Sequence, residues 1–104
     1  MILETAILYI KPGQQHLFEK DFALAGKYIS SVKGYLGHKL LKCIEQDNKY
    51  MLFVDWEKLE DHTIGFRQSE AYTYWRNLLH HYYHPFPAVE HHETCITKIA
   101  RIDS

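Results

Sequence analysis

The chain has 104 residues, 46% of them hydrophobic, and a formal net charge of −1, which predicts a single folded domain over residues 1–104. Its Lys and Arg residues are scattered, so nothing predicts binding to nucleic acid or membrane, and no run approaches the roughly 18 apolar residues of a membrane span. Residues 1–10 lack a signal-peptide layout. The two cysteines, Cys43 and Cys95, make no disulfide framework, so we predict a cytoplasmic protein whose reduced thiols are small buried strand residues.

The first half of the chain predicts a strand, a helix and a hairpin. Met1–Lys11 alternates with period two and is largely apolar on both faces, with Ile2, Glu4, Ala6, Leu8 and Ile10 on one face and Leu3, Thr5, Ile7 and Tyr9 on the other. A helix follows Pro12 and Gly13, because apolar residues recur at steps of four and three along the stripe Phe18, Phe22, Ala25, Ile29 and Val32. Gly34 is its expected stop, and strands Tyr35–Glu45 and Lys49–Trp56 flank a polar turn at residues 46–48.

The second half predicts a broken helix and a last strand. Lys58–Phe66 is the first helical piece, and Ser69 can cap a second piece, Glu70–Tyr83. The inward stripe of the second piece consists of Tyr72, Trp75, Leu79 and Tyr82 or Tyr83. Pro85 and Pro87 end the helix, Ala88–Thr97 is a strand, and Lys98–Ser104 is a tail without a clear signal.

The order β-α-β-β-α-β is typical of an α+β ferredoxin-like fold, a four-stranded antiparallel sheet with both helices on one face. The other face of the sheet also carries apolar side chains. Leaving several hundred Å² of apolar sheet in water is unusual for a monomer. We therefore predict a homodimer in which two sheets face each other.

The stretch from Trp56 to Pro87 holds both tryptophans and four of the eight histidines. A helix that only covers a sheet needs nothing more than Leu and Ala. Large flat rings interleaved with polar side chains suit a pocket for a planar organic molecule. Trp56, Phe66, Tyr72 and Trp75 are the predicted walls of this pocket, and the alternative is that the same rings form a dense core.

This stretch contains the pattern W-x-x-L-x-x-H-x-x-x-F-R-x-S-x-x-Y-x-x-W, from Trp56 to Trp75. Together with the later segment HPFPAVEHHE and the β-α-β-β-α-β order, it resembles the antibiotic biosynthesis monooxygenase family over about residues 1–97. The resemblance implies a dimeric α+β barrel, in agreement with the dimer argued from the sheet.

The resemblance also implies oxygenation of a small aromatic molecule by O₂ without metal, flavin or any other cofactor. Family members of known activity oxidise electron-rich phenols or quinols: a phenolate gives an electron to O₂, the radicals combine, and the peroxide collapses to a quinone. Other relatives degrade haem, using an Asn, a Trp and a His. Here those positions hold Thr5 or Ala6, Phe66 and Arg76, so haem degradation is not expected.

His62 lies one helical turn before Phe66 and is our candidate for the base that takes the phenolic proton, since the pKa of histidine is ordinarily near neutrality. The alternative is a structural histidine that holds the turn at Trp56. Arg76 and His80 are predicted polar aids to catalysis. Arg67 or Arg76 can stabilise a phenolate or peroxide oxygen, and either can equally be a solvated surface residue.

No metal site is predicted. His80 and His84 are four residues apart, but Pro85 disfavours helical geometry at His84. His91 and His92 are neighbours in a strand and point to opposite faces, so one is expected to be inward and polar and the other outward. Three possibilities stay open: a cofactor-independent monooxygenase, a dimeric module that binds a hydrophobic molecule without turnover, and a purely structural dimer whose aromatic rings are all packed.

Overall fold

The computed structural model describes residues 1–100; residues 101–104, which belong to the predicted tail, lie outside the described part. Residues 1–100 form four strands and two α-helices in the order β-α-β-β-α-β, and each is named here by its residue range. They are β1 (Ile2–Tyr9), α1 (Gln15–Ile29), β2 (Tyr35–Lys42), β3 (Lys49–Trp56), α2 (Glu70–Leu79) and β4 (Val89–His92). A π-helical turn, Asp61–Phe66, precedes α2, and a 3-10 turn, His80–Tyr82, follows it.

The strands form one antiparallel sheet in the order β2-β3-β1-β4, which confirms the predicted ferredoxin-like α+β fold. β1 is a central strand, and its residues 3–6 have paired neighbours on both sides. Glu4 lies opposite Val54 on β3 and opposite His91 on β4. Directly opposite residues of antiparallel strands share a face, so Glu4 and His91 point to the same side of the sheet.

The helices cover the sheet face that carries Ala6, Leu8, Leu52 and Val54, and all four side chains are buried. The predicted stripe of α1 is confirmed: Phe18, Phe22, Ala25 and Ile29 are buried, and Val32 is half-buried against the core. Rings dominate the contacts between the layers. Phe18 meets Tyr50 edge-on at 5.1 Å between ring centroids, and Phe22 meets Trp75 at 5.5 Å.

The ends of several elements differ from prediction. α2 begins as expected, with the Ser69 hydroxyl accepting a hydrogen bond from the Tyr72 amide at 3.1 Å, but it stops at Leu79 rather than Tyr83. The chain tightens there into the 3-10 turn, and the Tyr83 backbone pairs with Ile10 at the end of β1. The stripe of inward side chains cannot reveal that α2 ends at Leu79, because the stripe continues unchanged through the 3-10 turn.

β4 is also shorter than predicted, four residues instead of ten, and the cause lies in β1. His92 is paired with Leu3, so residues beyond His92 have only the first two residues of the chain left to pair with. Cys95 consequently lies outside the strand and is exposed, while Cys43 lies just beyond β2 and is half-buried. The prediction that both cysteines are buried strand residues was wrong, because β4 ends before Cys95 and β2 ends at Lys42, one residue before Cys43.

The first piece of the broken helix begins at Leu59, one residue later than predicted, and becomes a π-helical turn from Asp61 to Phe66. Its start is held by Gly34, which adopts a left-handed conformation at φ +88° and accepts a hydrogen bond from the Glu57 amide at 2.8 Å. A Cβ at position 34 would clash with the Asp61 side chain. Only glycine satisfies both the backbone angle and this close approach.

No helix within residues 1–100 covers the opposite sheet face. Ile7 is 44% exposed, Leu41 43% and Met51 36%, and Phe53 lies half-buried between them on β3. This surface is called the open face below. Association of two copies through it stays a prediction. Within residues 1–100, no helix is long and apolar enough to cross a membrane.

Candidate functional site

A cavity of about 350 Å³ lies between the sheet and the α2 side of the helical layer. The sheet contributes its floor and the π-helical turn, α2 and the segment after α2 contribute its walls. Its lining residues are Glu4, Ala6, Leu8, Leu52, His62, Phe66, Arg67, Tyr72, Trp75, His80, Tyr83, Phe86, Pro87 and Val89. The interior beside His62 is therefore hollow, contrary to the alternative in which all the rings form a dense core.

Aromatic walls arise from the spacing across the helix break. The Phe66 ring packs edge-on against Tyr72 at 5.2 Å and against Trp75 at 5.8 Å between centroids. Phe66 is the last residue of the π-helical turn, and the Ser69 cap that follows sets the direction of α2. Single π-helical turns are frequent at functional sites because they redirect side chains from the regular helical face.

A chain of polar contacts lies under this aromatic wall. The Trp56 indole donates a hydrogen bond to Oε1 of Glu4 at 3.0 Å. Nε2 of His62 lies 3.3 Å from the same oxygen. On its other side, Nδ1 of His62 is hydrogen-bonded to Nε2 of His91 at 2.7 Å. The register of β1 with β4 and the position of the π-helical turn are what bring Glu4, His62 and His91 together.

Burial governs the ionisation of this chain. Glu4 is 5% exposed and His62 is 3% exposed. Burial, together with the smaller effects of the Arg67 and His91 charges, lowers the pKa of His62 to about 3. Burial likewise raises the pKa of the Glu4 carboxyl, against the opposing effects of the Trp56 hydrogen bond and the Arg67 charge. His62 is therefore neutral at neutral pH, and the expectation of a pKa near neutrality was wrong.

Only one oxygen of the Glu4 carboxyl is engaged. Oε1 receives the Trp56 indole and faces His62, whereas no group within residues 1–100 donates a hydrogen bond to Oε2. No side-chain oxygen or nitrogen of the described chain is both sealed from solvent and unpaired. Since Glu4 lines the cavity, its second oxygen is open to whatever occupies the cavity.

His80 and Arg67 complete the polar lining. The half-buried His80 ring lies among the rings of Tyr72, Tyr83 and Phe86, at centroid distances of 6.0, 5.7 and 5.0 Å. Burial and the nearby Arg76 charge lower the pKa of His80, which keeps this ring neutral at neutral pH. Arg67 is the only permanently charged cation among the described residues that line the cavity.

The predicted site residues divide into two groups. His62, His80, Phe66, Tyr72 and Trp75 all line the cavity. Trp56 and Arg76 do not. Trp56 is fully buried below the cavity, stacked on His62 at 5.5 Å between centroids, because it ends β3 on the covered face. Arg76 is exposed on the outer side of α2.

Three further residues were missed as site residues by sequence reasoning. Glu4 carries a usable signal, because a carboxylate in the middle of an apolar strand face requires a partner. His91 was expected to be inward only as an alternative to His92; it is half-buried on the covered face, and His92 is exposed and contacts Thr5. Tyr83 was assigned to a helical stripe. Its place in the lining depends on the chain leaving the helix, which no local pattern shows.

Residues 1–100 contain no group of three His, Cys, Asp or Glu side chains arranged to hold a metal ion. Geometry explains why the polar chain does not qualify. Glu4 and His91 contact different nitrogens of His62, on opposite sides of the ring, so the three side chains do not converge on one point. The arrangement suits a chain of hydrogen bonds and proton positions.

Comparison with known proteins identifies close relatives of this chain. The sequence is 53% identical over 91 residues to the uncharacterised protein YczJ of Bacillus subtilis (strain 168), covering 88% of this chain and 96% of YczJ. Among solved structures, a Bordetella bronchiseptica protein is 33% identical with a TM-score of 0.87, over 91% of this chain and 97% of that one. Its own assignment as an antibiotic biosynthesis monooxygenase is provisional.

A more distant structure extends the fold similarity. SnoaB of Streptomyces nogalater, described as a cofactor-independent oxygenase, has a TM-score of 0.73 and 17% identity, covering 96% of this chain and 97% of its own. At that identity the likeness shows the fold alone. The sequence pattern of the family named antibiotic biosynthesis monooxygenase matches residues 1–78, which include the first three strands, the Trp56–Trp75 motif and most of α2. The chain belongs to the antibiotic biosynthesis monooxygenase family.

Proposed function

We propose that this protein is a cofactor-independent monooxygenase that oxidises an electron-rich aromatic molecule of the phenol or quinol class with O₂. The observation that carries the proposal is a ring-walled cavity whose floor holds a buried carboxylate with one free oxygen. An apolar cavity with a few convergent polar groups of perturbed pKa is typical of an active site. Family membership supports the reaction class, and the geometry supports the substrate class.

The cavity favours a flat and compact guest. Its volume of about 350 Å³ is near the small end of ordinary ligand sites, about 300–1,000 Å³. Phe66, Tyr72 and Trp75 offer ring faces and edges, which prefer offset or edge-to-face contact with another ring. A small fused-ring quinol meets these requirements better than a large glycosylated polyketide does.

The chemistry needs a phenolate, because the ionised ring gives up an electron to O₂ more readily than the phenol does. Arg67, an exposed residue that lines the cavity, supplies positive charge there, and a charge of that sign stabilises a phenolate or a peroxide. The radicals then combine into a ring-bound peroxide. One oxygen atom stays on the ring as a quinone carbonyl, and the other leaves as water.

Oxygen consumption tests this proposal. Purified protein is incubated with 1,4-naphthohydroquinone and with anthrone under ¹⁸O₂, and both oxygen uptake and the mass of the product are recorded. We expect uptake above the spontaneous rate and one ¹⁸O atom in the quinone. Val89→Phe fills the cavity without altering its polar groups and is expected to abolish turnover, whereas Thr73→Phe, at an exposed position of α2 outside the lining, is expected to retain it.

The same assay discriminates against a binding module. A quinol that raises the melting temperature of the protein but is recovered unchanged, with no uptake above the spontaneous rate, would identify a protein that binds without turnover. Equal rates for the Val89→Phe and wild-type proteins would place any oxidation outside the cavity and contradict the proposal.

The functional unit that we propose is a homodimer joined through the open face. Ile7, Met51 and Leu41 form its exposed apolar centre, across three neighbouring strands. Burying such a surface yields roughly 25 cal/mol per Å² of apolar area, a large gain for a domain whose whole stability is on the order of 5–15 kcal/mol. The cavity lies on the other side of the sheet, so pairing leaves it accessible.

A further inference from the structure

We propose that Glu4, and not His62, accepts the phenolic proton of the substrate, and that His62 and His91 are positioning residues for the Glu4 carboxyl. The inference rests on the proposed function, because an aromatic hydroxyl must lie in the cavity for its proton to be taken. It replaces the base suggested by sequence with a residue of β1 that the motif from Trp56 to Trp75 does not include.

Both nitrogens of His62 already face a neighbouring side chain. Its Nδ1 is hydrogen-bonded to Nε2 of His91 at 2.7 Å, and its Nε2 faces Oε1 of Glu4 at 3.3 Å. A base must reach the proton it removes within hydrogen-bond distance. Nδ1 of His62 could do so only after breaking its hydrogen bond with His91, and a lone pair on Nε2 would point toward the oxygen of Glu4 that it faces.

Glu4 meets the same requirement without rearrangement. Its Oε1 is held by the Trp56 indole at 3.0 Å, which fixes the carboxyl plane, and its Oε2 receives no hydrogen bond from residues 1–100 while Glu4 lines the cavity. Because β1 is a central strand with partners on both sides, the backbone that carries Glu4 is rigid. A hydroxyl entering the cavity thus finds an oriented acceptor.

The contacts of His62 select one arrangement of protons. A neutral histidine carries hydrogen on one nitrogen and a lone pair on the other. With hydrogen on Nε2 it presents a donor to Glu4, and its Nδ1 then accepts from Nε2–H of His91. This is the tautomer that complements an ionised carboxyl. His91 is half-buried on the neighbouring strand and fixes the tautomer from behind, as outer partners of functional histidines commonly do.

The charges around Glu4 suit a base. Burial raises the pKa of its carboxyl, with Arg67 and the Trp56 indole acting in the opposite direction, so the carboxylate is a stronger proton acceptor than an exposed one. The groups facing it are Arg67, Trp56, His62, His91 and the Tyr83 hydroxyl. Arg67 is the only permanent cation among them, and its charge balances the negative charge as it passes from Glu4 to the phenolate.

The proton balance closes without a further reactant. The phenolic O–H bond breaks, its proton moves to Oε2 of Glu4, and the electron pair stays on the phenolate. After the ring-bound peroxide forms, Glu4 returns this proton to the outer peroxide oxygen. Cleavage of the O–O bond with loss of the ring C–H proton then gives the quinone carbonyl and water. O₂ is the oxidant, the aromatic molecule is the reductant, and Glu4 ends in its starting state.

Three variants separate the role of Glu4 as base from the role of His62 as a positioning residue. Glu4→Gln keeps an oxygen for the Trp56 indole but cannot take a proton, and we expect turnover of 1,4-naphthohydroquinone to fall at least 100-fold, with KM within about threefold of wild type. His62→Gln places an amide N–H near the original Nε2 and keeps the donor to Glu4. We expect it to retain turnover within about tenfold of wild type, and His62→Ala to lose more than His62→Gln does.

Binding supplies a readout that does not depend on turnover. The fluorescent phenol 2-naphthol stays un-ionised from about pH 4 to about pH 8, so a change in its affinity over that range cannot come from ionisation of the phenol itself. Measured without O₂, its affinity for the wild-type protein is expected to weaken as pH falls and the carboxylate is lost. Glu4→Gln is expected to lack this weakening. Any change in affinity with pH that both proteins share does not come from Glu4.

The outcomes distinguish this inference from the proposed function. Turnover by Glu4→Gln within about threefold of wild type, or a loss in His62→Gln as large as in Glu4→Gln, would overturn the assignment while leaving the monooxygenase intact. If the wild type oxidises no quinol, the proposed function fails, and the 2-naphthol titration decides on its own. A wild-type pH dependence absent from Glu4→Gln then supports contact between Glu4 and the hydroxyl, and identical titrations overturn it.

Discussion

Replacing His62 with Gln tests whether the buried histidine is neutral, because the answer determines the sign of a stability change. In the folded protein the pKa of His62 is lowered from 6.5 to about 3, chiefly by burial. The unfolded chain therefore takes up a proton below about pH 6.5 that the folded chain refuses. Stability contributed by the neutral form is complete above that pH and declines as pH falls from about 6.5 toward about 3.

The size of the effect follows from the two pKa values. Each pH unit in that window is worth about 1.4 kcal/mol, so by pH 5 the wild type has lost about 2 kcal/mol that it held at pH 8, or about 1–2 kcal/mol allowing for partial screening by solvent. His62→Gln has no titrating group at this position. Its stability relative to wild type should therefore improve by that amount between pH 8 and pH 5.

Urea denaturation of both proteins at pH 8, 6.5 and 5 measures this difference. Comparing the two proteins cancels the titration of other histidines with lowered pKa values, such as His38 and His80. A charged His62 paired with Glu4 would have a raised pKa, and the relative stability of His62→Gln would then worsen as pH falls. That reversed sign, or no change with pH, would refute a neutral His62 and with it the tautomer proposed above.

Three more variants probe the rest of the molecule. Ile7→Glu at the centre of the open face is expected to yield monomers in sedimentation at micromolar concentration, whereas Leu24→Glu, 51% exposed on α1, should leave a dimer; a wild-type monomer would contradict the pairing. Gly34→Ala must place a Cβ at φ +88° against Asp61. We expect it to lower the free energy of unfolding in urea by about 1–3 kcal/mol, and a loss below about 0.5 kcal/mol would contradict the clash. Ser69→Ala removes the α2 cap and should lower the free energy of unfolding by about 1 kcal/mol. An unchanged urea midpoint would contradict a stabilising role for this cap.

Most of the fold could be read from periodic patterns, because those patterns are local. The stripe that begins at Phe18 predicts α1, and Ser69 predicts the start of α2. The alternation in Lys49–Trp56 predicts β3 with the same two ends that the structure has. Where an end depends on a distant partner, the prediction failed. β4 stops at His92 because only the first two residues of the chain remain beyond its partner Leu3, and α2 stops at Leu79 because Tyr83 pairs with Ile10.

The sequence by itself determined which residue types this site contains. The spacing of His62, Phe66, Tyr72 and Trp75 follows from helical geometry on either side of a capped break, so their common location was predictable. Only the tertiary structure decided the roles, because these depend on contacts between strands far apart in sequence. Register puts Glu4 beside His91, and packing puts Trp56 beneath His62. Burial then sets the ionisation of the carboxyl and the imidazole, and a buried charge is costly enough to make that placement decide the chemistry.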